Sequence, residues 1–193
     1  MSETGTRAAA GLATVGLMVV LMWVSEVTDA VLGASLDRFG IEPREADGLD
    51  GILFAPFLHA GFGHLIGNTV PFLVLGAAIA LGGLVRTLAV VGTVALVGGL
   101  GTWLTAPAGT VVIGASGLVF GFATYLVARG AYSRMPWHIA GGLAVLLIYG
   151  STLLVGLVPT PGVSWQGHLF GAAGGLVAAR LLHRGRAGLT RPA

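Results

Sequence analysis

Apolar residues dominate six long segments of the chain, and glycine, proline or charged residues mark the breaks between them. A helix needs about 20 predominantly apolar residues to cross a bilayer. The segments lie at about 8–27, 64–82, 86–104, 115–131, 138–158 and 166–183. This pattern predicts an all-α membrane protein with six transmembrane helices, organised as a single polytopic domain over residues 1–193.

The first segment resembles a signal peptide only superficially. Its apolar run is longer than the roughly 7–15 residues of a signal-peptide core, and no clean small-residue cleavage site follows it. We therefore expect a retained helix. The sequence between the first two segments, at about 28–58, mixes charges with apolar pieces such as VLGASLDRFGI and GILFAPFL. Such a segment is typical of an outer loop lying partly in the membrane interface.

Composition narrows the class of protein further. The chain is 55% hydrophobic and only 9% charged, whereas an ordinary soluble domain is about 25% charged. It contains no cysteine, so cysteine nucleophiles, disulfides and thiolate metal sites are excluded. The pI near 9.7 arises from few charges and does not indicate nucleic-acid binding.

The arginines predict an orientation in the membrane. With the N-terminus inside, eight of the ten basic residues fall on the cytoplasmic side, as the positive-inside rule requires. We therefore expect the protein in the cell's inner membrane, with both termini in the cytoplasm. The eight are Arg7, Arg86, Arg129, Arg134, Arg180, Arg184, Arg186 and Arg191; Arg38 and Arg44 lie outside. Seven acids lie from Glu26 to Asp50, around the end of the first segment and before the second, and none follows Asp50.

Few polar side chains lie inside the apolar segments, and each is a candidate for function because burying it in lipid is unfavourable. His64 and Asn68 are four residues apart, so on a helix they face one point. Structural bonding between helices is the alternative explanation for this pair. His168, Gly171 and Gly175 share a face of the last segment.

Glycines suggest which helices meet. Gly117 and Gly121 form a small-residue pair in the fourth segment, and Gly171 and Gly175 form another in the sixth. Such pairs let two helix backbones approach closely, although 33 glycines make some pairs expected by chance. Packing of these two segments would bring Ser116 to His168.

Contact between Ser116 and His168 would place a potential nucleophile beside a potential base. A serine hydroxyl becomes nucleophilic when a histidine accepts its proton, and an oxyanion needs preorganised donors. The first turn of a helix beginning at Ser116 offers backbone N–H groups, to which His64 and Asn68 can add side-chain donors. Because no carboxylate follows residue 50, we predict a Ser–His dyad of modest turnover, with Phe120 packed against His168.

Three motifs together resemble the rhomboid intramembrane serine proteases. They are H-x4-H-x3-N in the second segment, G-x-S-G at the start of the fourth and G-H-x2-G-x3-G in the sixth. The resemblance implies a six-helix bundle whose short fourth helix starts inside a cavity. It also implies a protease that cleaves transmembrane helices of other proteins near their outer ends.

The resemblance assigns roles residue by residue. Ser116 is the nucleophile and His168 the general base, while His64, Asn68 and the backbone N–H of Ser116 stabilise the oxyanion. Phe120 takes the place of a tyrosine that stacks on the histidine in many family members. The Trp-Arg pair often found in the first outer loop is absent, and Pro43-Arg44 is its nearest counterpart. Helix packing falls to Gly114, Gly117, Gly121, Gly171 and Gly175.

Other classes of protein fit the sequence less well. An inactive rhomboid-like protein that binds transmembrane helices would typically lack the serine or the histidine. A transporter would carry ionisable residues in more segments. A metalloprotease using His59, His64 and His168 would lack the H-E-x-x-H signature, and a soluble serine hydrolase is disfavoured because Leu118 breaks G-x-S-x-G. We expect no metal or cofactor. The sequence does not identify the substrate or the oligomeric state.

Overall fold

The fold is a bundle of helices joined by short connections. The computed structural model describes residues 3–33 and 36–183. Its seven α-helices, in chain order, are α1 (Glu3–Leu32), α2 (Gly51–Phe54), α3 (Phe62–Ala80), α4 (Leu84–Thr105), α5 (Ser116–Ser133), α6 (Pro136–Gly156) and α7 (Trp165–His183). The described part contains no strand, only two isolated β-bridges.

Six of these helices coincide with the six apolar segments, but α1 is longer than expected. The sequence placed the end of the first segment near residue 27, whereas α1 continues to Leu32. Nothing in the intervening sequence breaks a helix until Gly33, which adopts a positive φ of 77°. The loop between α1 and α3 therefore begins later than residue 28. Arg184, Arg186 and Arg191 lie outside the described residues.

Four helices are long and apolar enough to cross a membrane by length and composition: α1, α3, α4 and α6. The remaining long helices are α5 and α7, and α5 is largely enclosed by its neighbours. α5 packs against α3, α4, α6 and α7, so much of its surface meets protein instead of lipid. A helix in that position needs less hydropathy than one that faces lipid tails.

The core lies where α5 meets α3 and α4. Phe72 of α3 and Phe122 of α5 are almost completely buried, and their ring centroids lie 5.2 Å apart. Leu65 and Leu75 add further side chains of α3 to the same core, beside Val94 of α4. This packing holds α5 in place at the centre of the bundle.

Two acids near the predicted border between the first segment and the loop belong to α1. Glu26 and Asp29 are 3% and 6% exposed, and an Asp29 carboxylate oxygen accepts a hydrogen bond from the Leu36 backbone N–H. Asp37, in the first turn of the loop, lies beside them. Burial raises the pKa of the Asp37 carboxyl above its usual value, and the nearby charge of Asp29 raises it further.

The loop between α1 and α3 folds onto the end of α4. It contains α2 and three short 3₁₀ turns at Asp37–Phe39, Asp47–Leu49 and Ala55–Phe57. Arg44 donates from its backbone N–H to the Trp103 carbonyl and from Nη1 to the Ala106 carbonyl at 2.8 Å. Trp103 Nε1–H donates to the Glu45 carbonyl in return. A cation is well placed there, because the C-terminal end of a helix carries negative charge.

Candidate active site

Ser116 and His168 lie on two different helices, and their side chains face each other. Ser116 is the first residue of α5, and His168 lies in the first turn of α7. The Oγ of Ser116 is 2.9 Å from Nε2 of His168. This distance lies within the range of a hydrogen bond between a hydroxyl and a ring nitrogen.

Close packing of α5 on α7 makes this contact reachable. A Cβ atom added to Gly171 would lie 2.2 Å from the Gly117 carbonyl oxygen, and one added to Gly175 would lie 2.0 Å from the Gly121 carbonyl oxygen. Any side chain at Gly171 or Gly175 would therefore separate the helices. Thr124 spans the same contact, because its hydroxyl donates to the Ala172 carbonyl at 2.8 Å.

The hydrogen bond made by Nδ1 of His168 determines which ring nitrogen carries the proton when the ring is neutral. Nδ1 lies 2.7 Å from the backbone carbonyl oxygen of Gly156, at the end of α6. A carbonyl can only accept, so Nδ1 must carry the proton, which leaves Nε2 of the neutral ring free to accept from the Ser116 hydroxyl. The carbonyl thus occupies the position that a carboxylate takes in a catalytic triad.

Phe120 also holds the His168 ring in position. The two rings are stacked, with centroids 4.1 Å apart and planes 5° from parallel. Phe120 is only 5% exposed. The ring of His168 is therefore held on one face by an aromatic side chain and at one edge by a hydrogen bond, which together restrict its rotation.

His64 lies against the segment that leads into Ser116. Gly114, two residues before Ser116, has a φ of 113°, and a Cβ added there would lie 2.6 Å from Cε1 of His64. Gly114 therefore meets an imidazole in a turn, whereas the sequence analysis assigned it to helix packing. The left-handed backbone and the close ring both require the absence of a side chain.

Asn68 lies one turn after His64 on α3 and is 6% exposed. One N–H of its side-chain amide donates to the His64 carbonyl at 3.0 Å. A side-chain amide has two N–H groups, so this bond leaves a second donor. Both residues line the same cleft of about 990 Å³ as Ser116, His168 and Gly156.

His59 also contacts the segment that leads into Ser116. It is 1% exposed, and its Nε2 accepts the Ala115 backbone N–H at 3.4 Å. Burial, and then the neighbouring imidazole of His64, lower the pKa of His59 to about 4. His59 is therefore neutral near pH 7 and able to accept this bond. Among the described residues, no three histidines or acids are arranged as metal ligands.

Sequence reasoning missed two features. The Gly156 carbonyl was not foreseen, because every residue has a carbonyl and no side-chain pattern marks the one that is used. His183 was not among the candidate residues, yet it is 2% exposed, with its Nε2 3.1 Å from the Tyr125 hydroxyl. The spacing of Tyr125 and Arg129 along one face of α5 was a signal that could have pointed to this cluster.

The bundle, its apolar helices and the arrangement around Ser116 define a multi-pass membrane protein with a serine–histidine pair in a cleft. The chain belongs to the rhomboid family: the sequence model of the Rhomboid domain matches residues 47–185. The match begins after α1 and includes every residue of the candidate site.

Relatives are found in several bacteria. The chain is 46% identical over 181 residues to an uncharacterized protein of Mycobacterium tuberculosis, covering 89% of this chain and 75% of that protein. It is 45% identical over 181 residues to an uncharacterized protein of Mycobacterium leprae, covering 89% and 71%. A Bacillus subtilis protein with the provisional name rhomboid protease YdcA is 28% identical over 165 residues, covering 84% and 76%.

Proposed function

We propose that this chain is an intramembrane serine endopeptidase that cleaves transmembrane helices of other membrane proteins near their outer ends. The hydrogen bond between Ser116 and His168 is the observation that carries the proposal. Family membership supports it, because rhomboid proteins are generally serine proteases. The catalytic unit is a Ser–His dyad in a single domain, and it needs no cofactor.

The reaction proceeds through an acyl-enzyme. Ser116 Oγ attacks the carbonyl carbon of the scissile peptide while its proton passes to His168 Nε2. The resulting imidazolium returns that proton to the leaving amine as the C–N bond breaks. A water molecule, deprotonated by the same nitrogen, then hydrolyses the ester and releases Ser116.

The oxyanion formed in each step is stabilised from two sides. The backbone N–H of Ser116 lies in the first turn of α5, where N–H groups have no acceptor within the helix. His64 and Asn68 supply side-chain donors from α3. Donors of this kind act most strongly when they are held in position before reaction and shielded from water, as the mostly apolar lining of the cleft provides.

The proposed topology has six spans, with both termini in the cytoplasm and the protein in the inner membrane. The fourth span, α5, starts inside the cleft, and the loop between α1 and α3 lies at the outer interface. The arginine distribution supports this orientation. A reporter fused after Arg191 should be cytoplasmic, and a reporter found outside would refute the six-span arrangement.

The activity is tested with purified protein in liposomes. Wild type, Ser116→Ala and Ser151→Ala are mixed with a fluorescent fluorophosphonate, and separately with a transmembrane substrate carrying small residues near its outer end. Ser151 is a matched control because it lines the same cleft from α6. Labelling and cleavage should be lost only in Ser116→Ala. Folded wild type that is neither labelled nor active would instead favour a helix-binding protein without catalysis.

A further inference from the structure

A cluster of basic and aromatic side chains lies at the end of the bundle opposite Ser116. Arg129 of α5 is 13 residues after Ser116, about 20 Å along the helix. Its guanidinium carbon lies 6.0 Å from the ring centroid of Tyr125. The rings of His183 and His138 are 6.3 Å apart, so a continuous series of contacts joins α5, α7 and α6.

Arg86 joins this cluster from α4. Its side chain folds back over Gly82, where an added Cβ would lie 2.4 Å from Nη1 of Arg86. The charge of Arg86 acts on Tyr125 and Arg129, and both guanidinium charges act on His138. We call Arg86, Arg129 and His138 the basic end cluster.

Helix dipoles make this cluster more positive still. Arg86 is the third residue of α4, and His138 is the third residue of α6. The N-terminal end of a helix favours anions and disfavours cations. Arg86 at such an end, together with Arg129, therefore concentrates positive charge where the backbone already supplies it, and the ring of His138 adds hydrogen-bonding capacity at the second end.

Few acids lie near this charge. Seven of the chain's eight acids, from Glu26 to Asp50, lie at the other end of the bundle, in the last turns of α1 and in the loop that follows it, and the eighth, Glu3, is the first residue of α1. Nε of Arg129 is buried and has no hydrogen-bond partner. A guanidinium with an unused, shielded N–H is suited to an oxyanion, because its donors match phosphate geometry.

We propose that the basic end cluster binds a phosphate group. Arg129 and Arg86 would each donate to phosphate oxygens. Nδ1 of His138 lies 2.7 Å from the Ser133 hydroxyl, so its Nε2 would be the third donor, while the N-termini of α4 and α6 stabilise the negative charge. The phosphate belongs either to the headgroup of an anionic phospholipid in the adjoining leaflet or to a free phosphate ion. This site does not depend on the protease activity.

The test compares two phosphate sources on the purified full chain in neutral detergent. Phosphatidylglycerol, phosphatidylcholine and inorganic phosphate are titrated separately. The melting temperature and, by native mass spectrometry, the number of retained lipids are recorded. The variants are Arg86→Gln and Arg129→Gln, with Arg180→Gln as the control, because Arg180 is an exposed arginine of α7 at the same end.

Phosphatidylglycerol should raise the melting temperature of wild type and of Arg180→Gln. Each cluster variant should bind it about tenfold or more weakly, since a hydrogen bond to a charged group contributes about 1.5–3 kcal/mol. A similar response to inorganic phosphate would identify the phosphate group alone as the ligand, whereas a response to phosphatidylglycerol only would identify the lipid. If Arg129→Gln fails to fold, Arg86→Gln carries the comparison.

Two results would overturn the proposal. One is that no phosphate source stabilises or is retained by folded wild type. The other is that Arg180→Gln loses as much binding as the cluster variants, which would mean that diffuse surface charge attracts the lipid and that no defined site exists.

Discussion

Replacing Gly156 by alanine should slow catalysis while leaving both Ser116 and His168 in place. A Cβ at residue 156 would lie 2.4 Å from Cζ of Phe120 and 3.1 Å from Nδ1 of His168. Contacts this short cannot persist, so the stacked rings must shift. The 2.7 Å hydrogen bond from His168 to the Gly156 carbonyl would then lengthen or break.

The size of the effect follows from what that bond does. It orients His168 and stabilises the imidazolium that forms when the ring accepts the serine proton. A hydrogen bond to a charged group contributes about 1.5–3 kcal/mol, and each 1.36 kcal/mol changes a rate about tenfold. We therefore expect kcat to fall about 10- to 150-fold. KM should change little, because the imidazolium exists only after reaction has begun.

The same helix offers a matched control. Gly150 of α6 has no atom within 4 Å of an added Cβ, so Gly150→Ala makes the same chemical change without a clash. Both variants should fold, because alanine has a higher helix propensity than glycine. The assay is cleavage of a transmembrane substrate in liposomes, followed at several substrate concentrations.

Two outcomes would show this reasoning to be mistaken. Turnover by Gly156→Ala at the wild-type rate would mean that the carbonyl of Gly156 does not orient the base. An equal loss in Gly150→Ala would mean that α6 tolerates no added methyl group, and that the effect has nothing to do with His168.

Further predictions concern the oxyanion donors and the segment before Ser116. Asn68→Ala should lower kcat about 10²–10³-fold, the usual effect of losing one such donor; unchanged kcat would remove Asn68 from that role. Gly114→Ala should reduce both activity and melting temperature, since a side chain there is strained and meets His64. Gly63→Ala, which meets nothing within 4 Å, should behave like wild type in both measurements. The folded pKa of His59, about 4, is below its unfolded value of about 6.5. Its contribution to stability is therefore complete above pH 6.5 and is lost as the pH falls towards 4. Melting temperatures at pH 7.5 and 4.5 should differ less in His59→Gln than in wild type, and an identical difference would contradict the assignment.

Much of the architecture follows from sequence because its causes are local. Apolar length marks the helices, and the spacing of small residues indicated that the fourth and sixth segments would meet. The structure places Ser116 and His168 at that meeting point, 2.9 Å apart. Spacing is informative here because residues three, four or seven apart on a helix share one face.

What sequence could not supply depends on contacts between distant segments. The partner of His168 Nδ1 is a backbone carbonyl, and no residue type distinguishes that carbonyl from its neighbours. The buried His183 contacts Tyr125, 58 residues earlier, and no local pattern indicates a contact between such distant residues. The end of α1 was misplaced because Thr28 and Asp29 resemble a loop, although both continue the helix.

The loop between α1 and α3 is connected by hydrogen bonds to the extended segment that leads into Ser116. Ile41 and Val112 exchange backbone hydrogen bonds at 2.9 Å in both directions, and the Gly114 N–H donates to the Ala55 carbonyl at 2.8 Å. A displacement of the loop would therefore pull on the residues immediately before the nucleophile. If the loop rests on the bilayer surface, changes in membrane thickness or lateral tension would move the loop and thereby alter the position of Ser116. The lipid composition would then affect the rate of catalysis.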